Sequence, residues 1–120
     1  MPGTIVPRAN YPDHAIVAMQ RGVAIVSLTD GGVIKHFGNP AAEAQCFDNR
    51  FNDGKCDPAG RLWAGTMDLR GATDTGSLYC MDTDGKFTQH VTKAKIPNGI
   101  CWSKDRKTMY WIDTTQQPLR

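Results

Sequence analysis

Short apolar runs alternate with turn residues along nearly the whole chain, and one such unit occurs twice. Residues Ala24–His36 align with Leu78–His90, so that a threonine, an Asp-Gly pair and a final histidine recur at a spacing of 54 residues. Asp-Gly supplies the positive backbone φ angles of a tight hairpin. The repeat therefore predicts successive antiparallel hairpins, and long helices are not expected.

A second repeat aligns Arg50–Asp57 with Ile96–Ser103 and places Asn52 and Asn98 at matching positions, 46 residues apart. Units of about 45 to 55 residues with four short strands each are typical of β-propeller blades. Strand periodicity predicts the short strands themselves at 14–19, 23–28, 33–37, 61–67, 77–81, 87–91, 99–102 and 108–112.

These strands divide into about two and a half blades. Residues 50–92 form one complete blade, residues 13–38 form the outer three strands of the preceding blade, and residues 97–114 form the inner two strands of the next. Residues 1–12 are predicted to be an irregular N-terminal segment, and residues 13–120 a partial propeller. Because a propeller needs four or more blades to close, we expect the chain to be part of a longer protein. The alternative is a small two-sheet sandwich.

Composition narrows the functional classes. The 120 residues include 14 basic and 12 acidic side chains, with a net charge of +2 and no long basic cluster, which argues against nucleic acid or an anionic membrane as a partner. The sequence has neither an apolar run long enough to span a bilayer nor a signal-peptide pattern, so we expect a soluble, cytoplasmic protein. The four cysteines lack a C-x-x-C pair, which predicts free thiols in a reducing compartment.

The matched asparagines are the first candidate for a site. The first strand of every blade lines the central channel, so residues at equivalent positions in successive blades converge on the axis. Asn52 and Asn98 would present two side-chain carbonyls suited to a hard cation such as Ca²⁺ or Mg²⁺, provided that other blades supply carboxylates. In the alternative interpretation both asparagines are turn residues that open a strand.

Four motifs carry a family resemblance. Residues 50–67 read RFNDGKCDPAGRLWAGTM, Gly76–Tyr79 follow, and then come NGICWS from Asn98 and YWID from Tyr110. This pattern resembles the SMP-30/gluconolactonase family over roughly residues 13–114. The resemblance implies a six-bladed propeller that holds one divalent metal ion (Ca²⁺, Zn²⁺, Mn²⁺ or Mg²⁺) and hydrolyses sugar lactones.

By that resemblance Asn98 would be a metal ligand, while Arg50 and Asn52 would contact the substrate; no catalytic residue is assignable. The family's two charged metal ligands, a Glu in the first blade and an Asp in a later one, have no counterpart in this chain. Asp68 lies close to the position of an acidic substrate contact but does not match it. We therefore expect the chain alone to be inactive as a lactonase.

Two other functions stay open. One is a non-catalytic calcium-binding or scaffold propeller, and the other is a truncated, inactive product that self-associates through its open strand edges. Asp53 could orient a ligand or cap a turn. The histidines are predicted to be structural, and the tryptophans to fill the layers between blades: His14, His36 and His90, and Trp63, Trp102 and Trp111.

Overall fold

The computed structural model describes residues 1–116, which form ten β-strands and one short helix. The elements are β1 (Pro2–Pro7), β2 (His14–Met19), β3 (Gly22–Ser27), β4 (Val33–Gly38), α1 (Pro40–Glu43), β5 (Asn49–Cys56), β6 (Leu62–Asp68), β7 (Gly76–Met81), β8 (Phe87–Ala94), β9 (Pro97–Trp102) and β10 (Met109–Asp113). No helix among these residues is long and apolar enough to cross a membrane.

The strands form three antiparallel sheets in chain order. Strands β1–β4 make blade 1, β5–β8 make blade 2, and β9 and β10 make the half-blade 3. The first strands of the three sheets, β1, β5 and β9, lie side by side as the inner strands. This arrangement is two and a half blades of a β-propeller, as the repeats predict, and it is not a two-sheet sandwich.

The prediction for the N-terminal segment is wrong, because Pro2–Pro7 is the inner strand of blade 1 rather than irregular chain. It pairs with β2 through partners such as Ile5 and Val17. The three β-branched residues favour a strand, but the run is short and bounded by prolines, so the prediction missed it. Pairing with β2 and contact with β5 complete the strand. A Cβ on Gly3 would lie 2.3 Å from the Phe51 carbonyl oxygen, so glycine allows β1 to approach β5 closely.

Two apolar layers hold the blades together. Between blades 1 and 2 the layer is centred on the buried side chains of Val23, Phe51, Leu62 and Tyr79. Between blade 2 and half-blade 3 the buried Trp63 and Trp111 lie in one cluster, against which Trp102 packs. The prediction that the three tryptophans fill layers between blades is confirmed.

The positions of His36, His90 and the four cysteines are consistent with a structural role. His36 and His90 are on the outer strands β4 and β8, and the His90 ring lies 4.6 Å from the Trp63 ring, measured between centroids. All four cysteines are free, and burial raises the pKa of the Cys56 and Cys80 thiols. A thiol with a raised pKa is a poor nucleophile near neutral pH.

Candidate functional site

Two inner strands bring the matched asparagines into contact. Asn52 lies on β5 and Asn98 at the second position of β9, and both side chains are half-buried. The Asn52 Nδ2 donates to the Pro97 carbonyl at 2.8 Å and approaches the Asn98 Oδ1 at 3.4 Å. The 46-residue repeat therefore produces a direct side-chain contact between neighbouring blades.

Arg50 joins this cluster from the same strand. Its Nη1 donates to the Asn52 Oδ1 at 2.9 Å and to the Phe51 carbonyl at 3.0 Å. Side chains two residues apart on a strand lie on the same face, which explains the contact. Because the guanidinium occupies the amide oxygen of Asn52, the Asn52 Nδ2 is turned toward β9.

Thr114 fixes the other end of the cluster. The Asn98 Nδ2 donates to the Thr114 Oγ1 at 2.7 Å, just after β10 ends. With its nitrogen held in this way, Asn98 turns its Oδ1 toward Asn52, and a carbonyl oxygen with two lone pairs keeps acceptor capacity there. The sequence analysis missed Thr114; its only signal is the position directly after the YWID motif.

Strand β1 supports the cluster from the other side. The Thr4 Oγ1 donates to the Asn52 backbone carbonyl at 2.8 Å. This bond ties the inner strand of blade 1 to the residue that contacts Asn98. Sequence analysis could not identify Thr4, because its segment was predicted to be irregular.

The carboxylates near the ends of these strands are engaged by the backbone. The Asp53 Oδ1 accepts from the adjacent Gly54 amide at 2.9 Å inside β5, where the register with β6 shifts, so this bond does not cap a turn between strands. Burial raises the pKa of the Asp68 carboxyl, but hydrogen bonds from the amides of Arg70, Ala72 and Thr73 outweigh burial and leave the pKa below its ordinary value.

Asp113 is held similarly. Burial raises the pKa of this carboxyl, whereas the amides of Lys95, Ile96 and Thr115 donate to it and lower the pKa by more than burial raises it. Through these three backbone hydrogen bonds, Asp113 of half-blade 3 is joined to the segment that leads from blade 2 into β9.

The donor set fits a metal ion only in part. Asn98 offers an amide oxygen of the kind that hard cations accept. Within residues 1–116, however, no group of three or more His, Cys, Asp or Glu side chains is placed to hold a metal ion. A divalent site needs anionic oxygens to replace hydration, so these residues do not form one by themselves.

A groove lies away from this cluster. It has a volume of about 550 Å³, is lined mainly by apolar side chains such as Ile16, Phe37 and Leu62, and opens where β1 and β5 end. Arg50, Asn52 and Asn98 do not line it. The candidate site is therefore the polar cluster on the inner strands rather than this groove.

Comparisons with known proteins agree with this geometry. A sequence model described as the SMP-30/Gluconolactonase/LRE-like region matches residues 1–120. YvrE of Bacillus subtilis, a protein named for a sugar lactone lactonase activity, is 36% identical over 107 residues, which cover 89% of this chain and 36% of YvrE.

Two solved structures resemble the chain closely. A luciferin-regenerating enzyme superposes with a TM-score of 0.87 at 34% identity and covers 99% of this chain, which spans 41% of that enzyme. A regucalcin from Agrobacterium tumefaciens, described as a calcium-binding protein, superposes with a TM-score of 0.85 at 30% identity. The superposition covers 99% of this chain and 38% of the regucalcin chain. The two and a half blades match about two fifths of each of these longer chains, so a whole chain of that length corresponds to a ring of about six blades.

Proposed function

Because the chain belongs to the SMP-30/gluconolactonase/LRE-like family, we propose that it contributes part of the site of a divalent-metal-dependent sugar lactone hydrolase. The proposed roles are substrate binding by Arg50 and Asn52 and metal coordination by Asn98. The hydrogen-bonded cluster of these three side chains across β5 and β9 carries the proposal. The chain spans about a quarter to two fifths of the length of the relatives it matches, so the rest of the site would lie in other blades.

Each side chain suits its proposed role. Arg50 carries five N–H donors in a rigid fork, which can bind sugar hydroxyls or the carboxylate of an opened lactone. Asn52, held by Arg50, presents its Nδ2 beside Asn98. Asn98, held by Thr114, presents its Oδ1. When bound, a divalent cation would polarise the lactone carbonyl and lower the pKa of a water molecule.

We expect no lactone hydrolysis by the 120-residue chain alone, because the described residues bring no cluster of anionic ligands to Asn98. The assay follows the opening of glucono-1,5-lactone by pH-stat with Ca²⁺, Zn²⁺, Mn²⁺ or Mg²⁺. Metal-dependent turnover that disappears in Asn98→Ala would contradict the expectation.

The residue roles require a complete ring. Residues 1–116 would replace the matching segment of YvrE, which supplies the remaining blades. We expect metal-dependent lactone hydrolysis by the chimera and a loss of at least about 100-fold in Asn98→Ala and Arg50→Ala, in keeping with the usual cost of losing a positioned group in an active site. Arg21→Ala, at an exposed turn, is the matched control. Unchanged turnover in Asn98→Ala would refute the assigned role.

The same chimera tests a non-catalytic calcium-binding role, which the description of the Agrobacterium tumefaciens regucalcin favours. In that case Ca²⁺ would bind, as measured by calorimetry, and the affinity would fall in Asn98→Ala without any lactone turnover. Binding without hydrolysis would thus replace the lactonase proposal and leave the metal role of Asn98 in place.

A further inference from the structure

The groove that lies away from the polar cluster runs between blades 1 and 2, and we call it the interblade groove. Its blade 1 wall is a cross-strand row with one residue from each of β1 to β4: Val6, Ile16, Ile25 and Lys35. Its blade 2 wall is a row with one residue from each of β5 to β7: Cys56, Leu62 and Met81. Residues paired across neighbouring strands lie on the same face of a sheet, so each row forms a continuous wall.

The apolar layer between these two blades is closed at one end of the strands and open at the other. Three side chains at the closed end are at most 1% exposed: Ala18, Val23 and Phe51. The apolar side chains that line the groove at the open end include four that are only partly buried: Val6, Ile16, Phe37 and Cys56. Apolar surface that stays in contact with water favours the binding of an apolar ligand. A volume of about 550 Å³ is within the usual range of small-molecule sites.

The shape and chemistry of the groove suit an extended hydrocarbon chain. Neighbouring strands lie about 4.8 Å apart, so the wall from β1 to β4 is about 14 Å long. Each carbon–carbon bond advances an extended chain by roughly 1.3 Å, so the wall matches a chain of about twelve carbons. Between the two ends of the groove, both rows present only hydrocarbon and the Cys56 thiol. A sugar would find few hydrogen-bond partners along these walls.

The charged side chains that line the groove differ between its ends. At the inner end, beside β1, the charged lining residue is Arg8. At the outer end, Lys35 of β4 is accompanied by Asp82 and Asp84, which follow β7 on blade 2. Among residues 1–116, no carboxylate oxygen lies within 4.0 Å of a side-chain nitrogen of Arg8 or Lys35. The outer end therefore carries both signs of charge, whereas the inner end favours an anion.

Two contacts hold the Arg8 guanidinium in place. Its Nη1 donates to the His14 Nδ1 at 3.0 Å, and its Cζ lies 3.8 Å from the centroid of the Tyr11 ring. The hydrogen bond to His14 uses one of the five N–H donors of the guanidinium, so others stay available. A guanidinium that is already positioned binds a carboxylate with little further loss of side-chain freedom.

We propose that the interblade groove binds a long-chain monocarboxylate, a fatty acid of about twelve carbons, with its carboxylate on Arg8 and its chain between the two rows. The site is separate from the proposed lactonase site, because Arg50, Asn52 and Asn98 do not line the groove. Both walls belong to the described residues of two complete four-stranded sheets. Failure of either proposal would leave the other unchanged.

The first test is calorimetric titration of the intact 120-residue chain with octanoate, decanoate and dodecanoate. We expect one ligand per chain and an affinity that rises about fourfold with each added methylene group, because each group leaves water for the apolar rows. Dodecylammonium, with the same chain and the opposite charge, should bind at least about tenfold more weakly than dodecanoate. An affinity that does not depend on chain length, or equal binding of the two dodecyl ligands, would overturn the proposal.

A substitution at Arg8 tests the position of the carboxylate. Arg8→Gln should weaken the binding of dodecanoate at least about tenfold, because a charge-assisted hydrogen bond is lost. The affinity for dodecanol, which has no charge, should stay unchanged and so show that the apolar walls are intact. Arg21→Gln, at an exposed turn, is the matched control. Unchanged dodecanoate binding in Arg8→Gln, or an equal loss in Arg21→Gln, would contradict the assigned role.

Alkylation of individual cysteines in the wild-type chain locates the bound ligand without any substitution. Cys56 lines the groove, whereas Cys101 is exposed on half-blade 3. The chain is treated with iodoacetamide, and mass spectrometry follows each thiol with and without dodecanoate. At ten times its dissociation constant, dodecanoate should slow the alkylation of Cys56 about tenfold and leave Cys101 unchanged. Bound dodecanoate that does not protect Cys56, or that protects both thiols equally, would refute binding in the interblade groove.

Discussion

At the residue scale, Asp57 shows how one carboxylate organises a blade. It accepts from the amides of Ala59 and Arg61 at 2.9 Å each, from the Arg61 Nε at 2.7 Å and from the Trp63 Nε1 at 3.0 Å. Burial raises the pKa of this carboxyl, but these four hydrogen bonds outweigh burial and hold the pKa below its ordinary value. The residue therefore joins the β5–β6 turn to the tryptophan layer.

We predict that Asp57→Asn destabilises the chain by about 1.5–3 kcal/mol, because hydrogen bonds to a buried charge are lost or weakened. The measurement is the midpoint of urea unfolding at neutral pH. Asp84→Asn is the control, since Asp84 caps a corresponding turn through the Lys86 amide at 3.0 Å but lies in solvent. Equal effects of the two substitutions would contradict the role of burial.

Acid should weaken the fold through the same group. A carboxyl whose pKa is lower in the folded than in the unfolded chain stabilises the fold fully above its unfolded pKa, and this contribution is lost as the pH falls through the folded pKa. Asp57 and Asp113 both have lowered pKa values. We predict that stability falls below about pH 4 and that the fall is shallower in Asp57→Asn, as followed by urea midpoints against pH. A parallel decline in the two proteins would argue against Asp57.

At the scale of elements, the position of the site depends on how closely β9 packs on β6. A Cβ on Gly65 of β6 would lie 2.3 Å from the Cβ of Pro97, the residue directly before Asn98. Pro97 also accepts the hydrogen bond from Asn52. Because Gly65 of blade 2 has no side chain, half-blade 3 can pack closely enough to place Asn98 beside Asn52.

We predict that Gly65→Ala destabilises the chain by about 1–3 kcal/mol, because the added methyl group forces β9 away from β6. Gly99→Ala is the control: its Cβ would lie 3.3 Å from the Ile112 Cδ1, the end of a flexible and partly exposed side chain. Thermal unfolding measures stability, and the side-chain amide resonances of Asn52 and Asn98 report their contact. A Gly65→Ala variant with unchanged stability and unchanged resonances would refute this packing argument.

At the scale of the whole molecule, the chain is a flat arc. Its dimensions of 40 × 37 × 20 Å enclose three sheets with two apolar layers between them. The stability of the arc therefore depends on these two layers, which join each sheet to the next.

The sequence by itself determined the strands after β1, the turns and the blade order, because period-two alternation and Asp-Gly turns are local signals. Asn52 and Asn98 were identifiable because the repeat is regular and the family motif spans both; their roles stay predictions. Only the tertiary structure revealed β1, Thr4 and Thr114. Pro2–Pro7 has little strand pattern of its own and becomes a strand through β2 and the close approach of Gly3 to β5. The two hydroxyls are ordinary in sequence and acquire their positions only when three inner strands meet, because contacts between distant residues leave no local pattern.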